Sequence, residues 1–272
     1  MTVELRSGQH AFETDKTIIA YYVRGKGSPC FVAPYAWGMN SEPIRYFFKT
    51  LEKHLTLVYH DPPGTGRSGP PKHDTDLGMS RVVADMFSLQ SRLGLHKITL
   101  MGHSGGAACA LSYALRYPRR VTNLILIGAG AVYPELLWSK EVGEALAISL
   151  KERDEKHFRQ LQAKFLGPEI KTRKAKLTMG RAMKFSIHFN IDRTVHNFME
   201  LSNWDVRGEL GNVEARTLIM VGKYDKLTPP KFARELHKGI KGSKYVSFAK
   251  SGHFPFLDEP EKFQKSILEF LK

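Results

Sequence analysis

A serine flanked by glycines is the residue best suited to covalent chemistry in this 272-residue chain. The run Gly102-His103-Ser104-Gly105-Gly106 fits the pattern G-x-S-x-G and joins an apolar, strand-like run to a small-residue helical run. That context is typical of a nucleophile elbow, a tight strand-to-helix turn that exposes the serine hydroxyl. In such a turn, side chains at the first and last glycine would collide with neighbouring backbone. The pattern therefore predicts Ser104 as a nucleophile.

A serine hydroxyl needs a general base, and the base needs a group that orients it. Asp225 and His253 follow the serine in the order acid then histidine, and each comes just after a strand-like run. Active sites of open α/β sheets collect at the carboxyl ends of the strands. We therefore predict Ser104 as nucleophile, His253 as base and Asp225 as orienting acid. Two other acids are weaker candidates: Asp205 lies at the exit of a long helical segment, and Asp258 begins the turn into the last helix.

These residues must be held by regular elements, and the sequence contains two kinds of pattern. Short apolar runs rich in Val, Ile, Leu and Tyr predict seven strands: Thr17–Val23, Cys30–Ala33, Leu55–His60, Lys97–Met101, Val121–Ile127, Arg216–Val221 and Lys244–Phe248. Apolar residues at helical spacing, or a small-residue run ended by proline, predict four helices: Arg81–Leu93, Gly105–Tyr117, Lys231–Ile240 and Glu261–Leu271. Strands that alternate with helices favour a mainly parallel sheet covered on both faces.

One long segment breaks this alternation. Residues 133–208 carry no strand pattern and consist of amphipathic helical segments with several aromatic residues. The sequence therefore predicts a core of residues 1–132 and 209–272, interrupted by a helical insertion at 133–208. The insertion leaves and rejoins the sheet at the edge that carries Ser104, so we expect it to cover the nucleophile and to select substrates. Its large residues Trp138 and Trp204 are the expected pocket walls.

The charge balance and the cysteines limit the class of protein. Lys and Arg total 41 against 27 Asp and Glu, a formal net charge of +14, but the excess is spread along the whole chain. No zinc spacing or phosphate-binding glycine loop is present, so we predict no nucleic-acid partner, and we interpret the basic run 171–184 as a solvated helix face.

Cys30 and Cys109 lie in apolar surroundings. Two thiols without a secretion signal favour a reduced, cytoplasmic protein, and no apolar run approaches the ~18 residues of a membrane span.

With these residues the chain resembles the alpha/beta-hydrolase superfamily over essentially its whole length. The run His60–Ser68 is similar to the family's D-x-x-G-x-G-x-S loop, in which Asp61 would be a structural turn residue. The exit from the insertion resembles the small capped members, namely the proline iminopeptidase-like and related esterase branches. The resemblance implies a mainly parallel sheet of about eight strands with helices on both faces, and a helical cap over the active site.

The family's oxyanion loop differs here. After the third strand its members usually have a His-Gly turn, whereas Pro34–Gly38 reads Pro-Tyr-Ala-Trp-Gly. The resemblance implies that the backbone N–H groups of Gly105 and Ala36 hold the oxyanion. A shift of one residue would make the second donor Tyr35, and Pro34 has no N–H to donate. The residues that we expect to contact substrate are Tyr35, Trp37, His103, Trp138 and Trp204.

The resemblance and the triad together predict a serine hydrolase that acts by two-step acyl transfer on a small carboxylic ester, with no metal and no cofactor. A proline iminopeptidase-like aminopeptidase is an alternative, but its relatives have a Gly-Gly-Ser-Trp-Gly elbow. A lactone or carbon–carbon bond hydrolase would keep the same triad. An alternative of another class is a non-catalytic, hydrolase-like ligand-binding receptor. The oligomeric state stays open.

Overall fold

In the computed structural model, which describes residues 5–35, 38–133, 148–149, 151–183 and 190–272, eight strands form one sheet. The strands are β1 (Gly8–Glu13), β2 (Ile18–Gly25), β3 (Ser28–Val32), β4 (Leu55–His60), β5 (Ile98–His103), β6 (Val121–Ile127), β7 (Arg216–Gly222) and β8 (Lys244–Phe248). Their order across the sheet is β1-β2-β4-β3-β5-β6-β7-β8. The serine follows β5, which lies at the centre of this order.

The sheet is mainly parallel, as the sequence predicts. Strands β3 to β8 pair in parallel, whereas β2 is antiparallel to both β1 and β4. The sequence patterns gave no prediction of β1, because this edge strand alternates between exposed and partly buried residues and only one of its residues is fully buried. Its register comes from pairing with β2 across the turn at Thr14–Thr17, where two backbone groups bond each other.

Helices cover both faces of the sheet. Among the described residues the α-helices are α1 (Glu42–Phe48), α2 (Met79–Arg92), α3 (Gly105–Arg116), α4 (Glu155–Leu166), α5 (Arg173–Met183), α6 (Ile191–Ser202), α7 (Pro230–Gly239), α8 (Pro255–Asp258) and α9 (Pro260–Leu271). Apolar side chains of α2, α3 and α7 pack on one face, and those of α1, α8 and α9 pack on the other. The four predicted helices match α2, α3, α7 and α9 within two residues at each end, while the short α1 was not predicted.

The central strands supply the core of both layers. Leu100 and Met101 are neighbours in β5, yet their side chains belong to opposite apolar clusters, and Leu124 and Ile125 of β6 divide in the same way. This is the period of two that a strand buried on both faces requires. Each fully buried leucine or isoleucine contributes about 1.5–3 kcal/mol to stability through the hydrophobic effect. The strand ends that carry the site therefore project from a rigid support.

The described part of the segment between β6 and β7 contains the helices α4, α5 and α6. The two ends of this segment bond each other beside β6. Val132 and Asp205 form an isolated antiparallel bridge, the Tyr133 N–H donates to the Trp204 carbonyl at 3.1 Å, and the Val206 N–H donates to the Ala131 carbonyl at 2.8 Å. No helix in the described ranges is long and apolar enough to cross a membrane.

Candidate active site

Ser104 stands at a strained turn between β5 and α3. Its backbone has φ 54° and ψ −124°, and its own N–H donates to the Ile127 carbonyl of β6 at 2.9 Å. A non-glycine residue held in such a conformation costs about 1–3 kcal/mol and persists only where the surroundings determine it. The turn ends β5 abruptly and starts α3 at the next residue. The G-x-S-x-G run therefore has the backbone geometry of a nucleophile elbow.

The glycines on either side of the serine are required by close contacts. A Cβ on Gly102 would lie 2.3 Å from the Gly106 carbonyl oxygen, and a Cβ on Gly106 would lie 2.9 Å from the Ala33 carbonyl oxygen. The prediction that side chains at these two positions would collide with backbone is therefore confirmed. The second contact also brings the start of α3 against the loop that follows β3. Gly105 is the first residue of α3, where an N–H has no acceptor within the helix.

Asp225 and His253 lie together at the ends of β7 and β8. His253 Nδ1 is 2.8 Å from Asp225 Oδ2, and the side chains are 2% and 0% exposed. The other carboxylate oxygen, Oδ1, accepts the Thr228 N–H at 2.7 Å. Because a carboxylate can only accept, the hydrogen bond assigns the proton to Nδ1 and leaves the lone pair on Nε2. That is the tautomer a general base needs.

The imidazole of His253 packs against the end of β6, the same backbone that bonds Ser104. Gly128 has φ 54°, and a Cβ there would lie 3.1 Å from both Cε1 and Nδ1 of His253. Gly128 directly follows Ile127, whose carbonyl accepts the Ser104 N–H. The end of β6 thus contacts Ser104 on one side and His253 on the other. Ser104, His253 and Asp225 share one edge of the sheet, as the strand-end argument predicts, and their catalytic roles stay predictions.

The alternative acids have other partners. Asp205 forms an exposed ion pair with Arg207, with 2.6 Å between Oδ2 and Nη2. Asp258 accepts the backbone N–H groups of Lys171 and Thr172 at 3.0 Å each and so holds the residues just before α5. Of these three carboxylates, Asp225 is therefore the one that bonds the His253 ring.

The loop after β3 is described only in part. Ala36 and Trp37 lie outside the described residues, and so does Trp138 of the insertion, so their predicted roles stay predictions. Beyond the gap the loop is held firmly, because Asp61 Oδ1 accepts both the N–H and the hydroxyl of Ser41, at 2.8 and 2.6 Å. Asp61 Oδ2 accepts the Tyr22 hydroxyl and the Arg67 N–H. Asp61 thus holds the turn, as the family resemblance implies.

Two of the residues that we expected to contact substrate are engaged with the protein itself. His103 is 2% exposed; its Nε2 lies 2.8 Å from the His253 carbonyl oxygen and its Nδ1 lies 3.1 Å from the Tyr35 hydroxyl. Burial lowers the pKa of His103 well below its ordinary value and raises that of Tyr35. Both nitrogens of the ring are occupied, so the geometry gives His103 a role inside the site, and a contact between either residue and substrate stays a prediction.

Trp204 lies at the exit of the insertion. Its indole N–H donates to Ser112 Oγ of α3 at 3.0 Å, and its ring packs edge-on against Tyr133 with 6.4 Å between centroids. These contacts anchor the end of the insertion on the core. A role for Trp204 as a pocket wall stays a prediction.

Sequence reasoning missed Glu169, a buried residue in a short 3₁₀ helix of the insertion, Gly167–Glu169. Its Oε2 accepts the Lys226 N–H at 2.9 Å, beside Asp225. Its backbone carbonyl packs on Gly252, where a Cβ would approach it to 2.2 Å, beside His253. The residue is one of many acids in the insertion, and only the tertiary contacts distinguish it. They show that the insertion touches the loops that carry the acid and the histidine.

A mainly parallel eight-stranded sheet with a serine elbow after its central strand defines a fold of the α/β-hydrolase type. The comparisons with known proteins agree. A family model for the alpha/beta hydrolase fold matches residues 29–260. The AB hydrolase superfamily protein YisY of Bacillus subtilis is 29% identical over 257 residues, which cover 90% of this chain and 92% of that protein. The chain therefore belongs to the alpha/beta-hydrolase family, and it is a hydrolase.

Two further similar proteins have names that state an activity. A proline iminopeptidase of Saccharolobus solfataricus is 28% identical over 239 residues, covering 80% of this chain and 76% of that protein. The solved structure of an esterase from Exiguobacterium antarcticum is similar with a TM-score of 0.81 and 26% identity, covering 94% of this chain and 96% of that chain.

Proposed function

We propose that the protein is a serine hydrolase that cleaves a small carboxylic ester by two-step acyl transfer. The observation that carries this proposal is the combination of a serine held at φ 54° after β5 with a buried Asp225–His253 pair at neighbouring strand ends. Ser104 is the proposed nucleophile, His253 the general base and Asp225 the group that orients the ring. This arrangement performs acyl transfer on unrelated folds as well, so the roles follow from geometry rather than from position in the chain.

The first half of the reaction forms an acyl-enzyme. His253 Nε2 takes the proton of the Ser104 hydroxyl while Oγ attacks the ester carbonyl, and the carbonyl π electrons move onto oxygen. The N–H groups of Gly105 and Ala36 hold this oxyanion, and the neighbouring N-terminus of α3 favours negative charge there. The tetrahedral intermediate collapses, the alcohol leaves with the proton from His253, and the acyl group stays on Ser104.

The second half uses water in the same way. His253 takes a proton from water as its oxygen attacks the acyl carbon, and the oxyanion forms again at the same donors. Collapse breaks the bond to Oγ, which receives the proton from His253, and the acid is released. Asp225 stabilises the imidazolium in both halves without taking its proton. No metal and no cofactor takes part in the proposed steps.

An ester is preferred to an amide because the esterase from Exiguobacterium antarcticum is similar over nearly its whole length. The second candidate is a proline iminopeptidase-like aminopeptidase, favoured by the relative from Saccharolobus solfataricus. Such an enzyme needs a free carboxylate in the insertion to hold the substrate amine. Among the described acids of the insertion, Glu169 and Glu200 accept backbone N–H groups, those of Lys226 and Ser80. Glu135, Glu141 and Glu144 lie outside the described residues.

We infer that residues 133–208 form a cap over this site and select the substrate, while residues 1–132 and 209–272 supply the chemistry. Contacts on both sides of the strand-end edge support the cap. The Glu169 carbonyl packs on Gly252 beside His253, and the Asn190 N–H donates to the Gly38 carbonyl at 2.9 Å beside the loop after β3. A cap in this place would exclude water and shape the acyl pocket.

We further propose a small-molecule substrate and a cytoplasmic location. Both cysteines are free and buried, which suits a reducing compartment. In the described part of the basic run, Lys171, Arg173, Lys174 and Lys176 are exposed, as residues of a solvated helix face would be. The basic excess is spread along the whole chain, which favours a small substrate over a nucleic acid.

A panel of p-nitrophenyl esters of increasing acyl length, assayed beside proline-β-naphthylamide, tests the proposed function. We expect turnover of short esters, and we expect no turnover by the Ser104→Ala variant at equal concentration. Release of β-naphthylamine as the faster reaction would instead establish the aminopeptidase. If the folded protein turns over neither class, the proposed ester hydrolysis is wrong.

A further inference from the structure

His103 links the three parts of the proposed site. It precedes Ser104 in the chain, its Nε2 bonds the His253 backbone, and its Nδ1 bonds Tyr35, the residue before the proposed oxyanion donor Ala36. These partners are separated from it by 150 and 68 residues. One ring therefore contacts the base's loop and the loop after β3 while it is covalently joined to the nucleophile.

The direction of each hydrogen bond follows from the chemistry of the partners. A backbone carbonyl can only accept, so His103 Nε2 carries the proton and donates it to the His253 oxygen. A neutral imidazole then has its lone pair on Nδ1, which accepts the Tyr35 hydroxyl. Burial keeps the ring neutral, because it lowers the pKa of His103. Tyr35 therefore donates to His103, and His103 donates to the His253 carbonyl. Both nitrogens of the His103 ring have a hydrogen-bond partner.

Packing holds the ring in this orientation. The centroid of the His103 ring is 4.7 Å from that of His253, 5.4 Å from that of Phe254 and 4.9 Å from that of Phe256. The Phe256 ring is edge-on to it. An apolar side chain could fill this space equally well. Only a side chain with a donor in the place of Nε2 could also fix the His253 carbonyl.

The geometry points to His103 as a positioning residue for acyl transfer, one that holds His253 and the loop after β3 in register with Ser104. This inference rests on the proposed function, since it assigns a task within the same site. His103 itself touches no reacting atom. It acts through the backbone of His253, whose displacement would move Nε2 away from the Ser104 hydroxyl. A misplacement of ~1 Å at a reacting group can lower the rate by about 10²-fold.

Replacing His103 by leucine and by glutamine separates positioning from packing. Leucine fills space without a donor, whereas the amide nitrogen of glutamine can take the place of Nε2. We expect His103→Leu to lower kcat by about 10- to 100-fold with KM changed less than about threefold, because binding is kept and alignment is lost. We expect His103→Gln to recover most of the lost kcat. Tyr35→Phe should lower kcat by less than His103→Leu does, because it removes the bond that orients His103 but leaves the donor to His253.

Matched controls come from buried residues outside the site. His60 is as buried as His103, and the Tyr113 hydroxyl donates to Gln90 between α3 and α2. His60→Leu and Tyr113→Phe should change stability and leave kcat at the wild-type value. A proton spectrum gives an independent readout, since we expect the His253 Nδ1 proton bonded to Asp225 to resonate far downfield. We expect that signal to persist in His103→Gln and to broaden or shift in His103→Leu.

Wild-type kcat in a folded His103→Leu variant would overturn the inference, and so would a loss that glutamine does not reduce. If His103→Leu fails to fold, the kcat of Tyr35→Phe decides the question. A wild-type kcat in Tyr35→Phe overturns the inference. A reduced kcat in Tyr35→Phe, together with an unaffected kcat in Tyr113→Phe, supports it. Labelling of Ser104 by a fluorophosphonate keeps the two proposals apart. If the wild-type protein is labelled and the kcat of His103→Leu is unchanged, only the positioning inference is refuted. If the wild-type protein is not labelled, the proposed function and the inference are both refuted.

Discussion

Two of the buried polar clusters in the described part of the chain are built differently. The site cluster consists of Tyr35, His103, Asp225 and His253, and hydrogen bonds of 2.7–3.1 Å join these residues to each other and to backbone. The α6 cluster consists of His60, Asp85, Arg193 and Asn197, where α6 packs on the core. Its unpartnered buried atoms, among the residues that the structure describes, are His60 Nε2, Asp85 Oδ2, Arg193 Nε and Nη2, and Asn197 Oδ1.

The charges in the α6 cluster are correspondingly disfavoured. Arg193 is fully buried and donates from Nη1 to the Leu77 carbonyl at 2.9 Å, and burial lowers its pKa to about 10. Burial also lowers the pKa of His60 to about 4 and raises that of Asp85 to about 6. Leaving a buried polar group without a partner costs about 1–3 kcal/mol. The contrast teaches that burial alone marks neither cluster as functional; what distinguishes the site cluster is that partners fix its geometry.

The largest expected effect belongs to the site. Ser104→Ala removes the proposed nucleophile and keeps Gly105, the Asp225–His253 pair and the fold. We expect ester hydrolysis to fall by about 10⁴-fold or more while the far-ultraviolet circular dichroism spectrum is unchanged. Steady-state assays with freshly purified variant measure this. Retention of more than about a tenth of wild-type activity would show that the triad assignment is wrong.

The next effect compares a buried aspartate from each cluster. Asp225→Asn takes away the acceptor that holds the Nδ1 proton of His253, so the ring can adopt the wrong tautomer. We expect kcat to fall by about 10³- to 10⁴-fold. Asp85→Asn changes a carboxylate that pairs with Arg81 at 2.5 Å on α2, and kcat should stay at the wild-type value. Comparable activity losses in both variants would remove the distinction between the clusters.

The α6 cluster should instead be visible in the pH dependence of stability. The folded-state pKa of His60 lies at about 4, below its ordinary 6.5, so its contribution to stability is present above pH 6.5 and is lost as pH falls toward 4. The gap corresponds to about 3 kcal/mol. We expect the free energy of unfolding to drop less in His60→Gln than in wild type over this range. Urea titrations at a series of pH values measure the difference, and parallel curves would contradict the assigned shift.

Asp85 should act with the opposite sign. Its folded-state pKa is raised from 3.8 to about 6, so the stability it contributes is present below pH 3.8 and is lost as pH rises through about 6. Asp85→Asn should therefore gain stability relative to wild type between these values, by up to about 3 kcal/mol. The same urea titrations report it. A variant whose relative stability falls as pH rises would show that Arg81 and Arg193 together favour the charged carboxylate.

The site also shows which of its residues the sequence can predict and which it cannot. Local chemistry predicts Ser104, because two glycines and a strand-to-helix change identify the elbow within five residues. Strand-end position predicts Asp225 and His253, because parallel strands bring their carboxyl ends to one edge. The hydrogen bonds of His103, and the one between Glu169 and Lys226, join residues that are 57 to 150 positions apart in the chain. No local sequence pattern predicts such contacts. β1 was missed for a related reason, since an exposed edge strand is defined by its partner.

The smallest expected effect concerns the insertion. If the cap selects substrates, Trp138→Ala should change the ranking of short against longer acyl esters, by about 1–3 kcal/mol in relative kcat/KM for each methylene-sized change in fit. Labelling of Ser104 by a small phosphonate should persist, because the proposed triad comes from outside residues 133–208. Loss of labelling in a folded Trp138→Ala variant with an unchanged ester ranking would instead make the cap part of the catalytic machinery.

The most direct test of the central claim is to find the atom that a fluorophosphonate modifies. Treated wild-type protein should gain the mass of one phosphonyl group, and peptide mapping should place it on Ser104. Asp85→Asn should react at the wild-type rate, Asp225→Asn more slowly, and Ser104→Ala not at all. A modified residue other than Ser104, or ester hydrolysis by an enzyme that never acquires the label, would contradict the account.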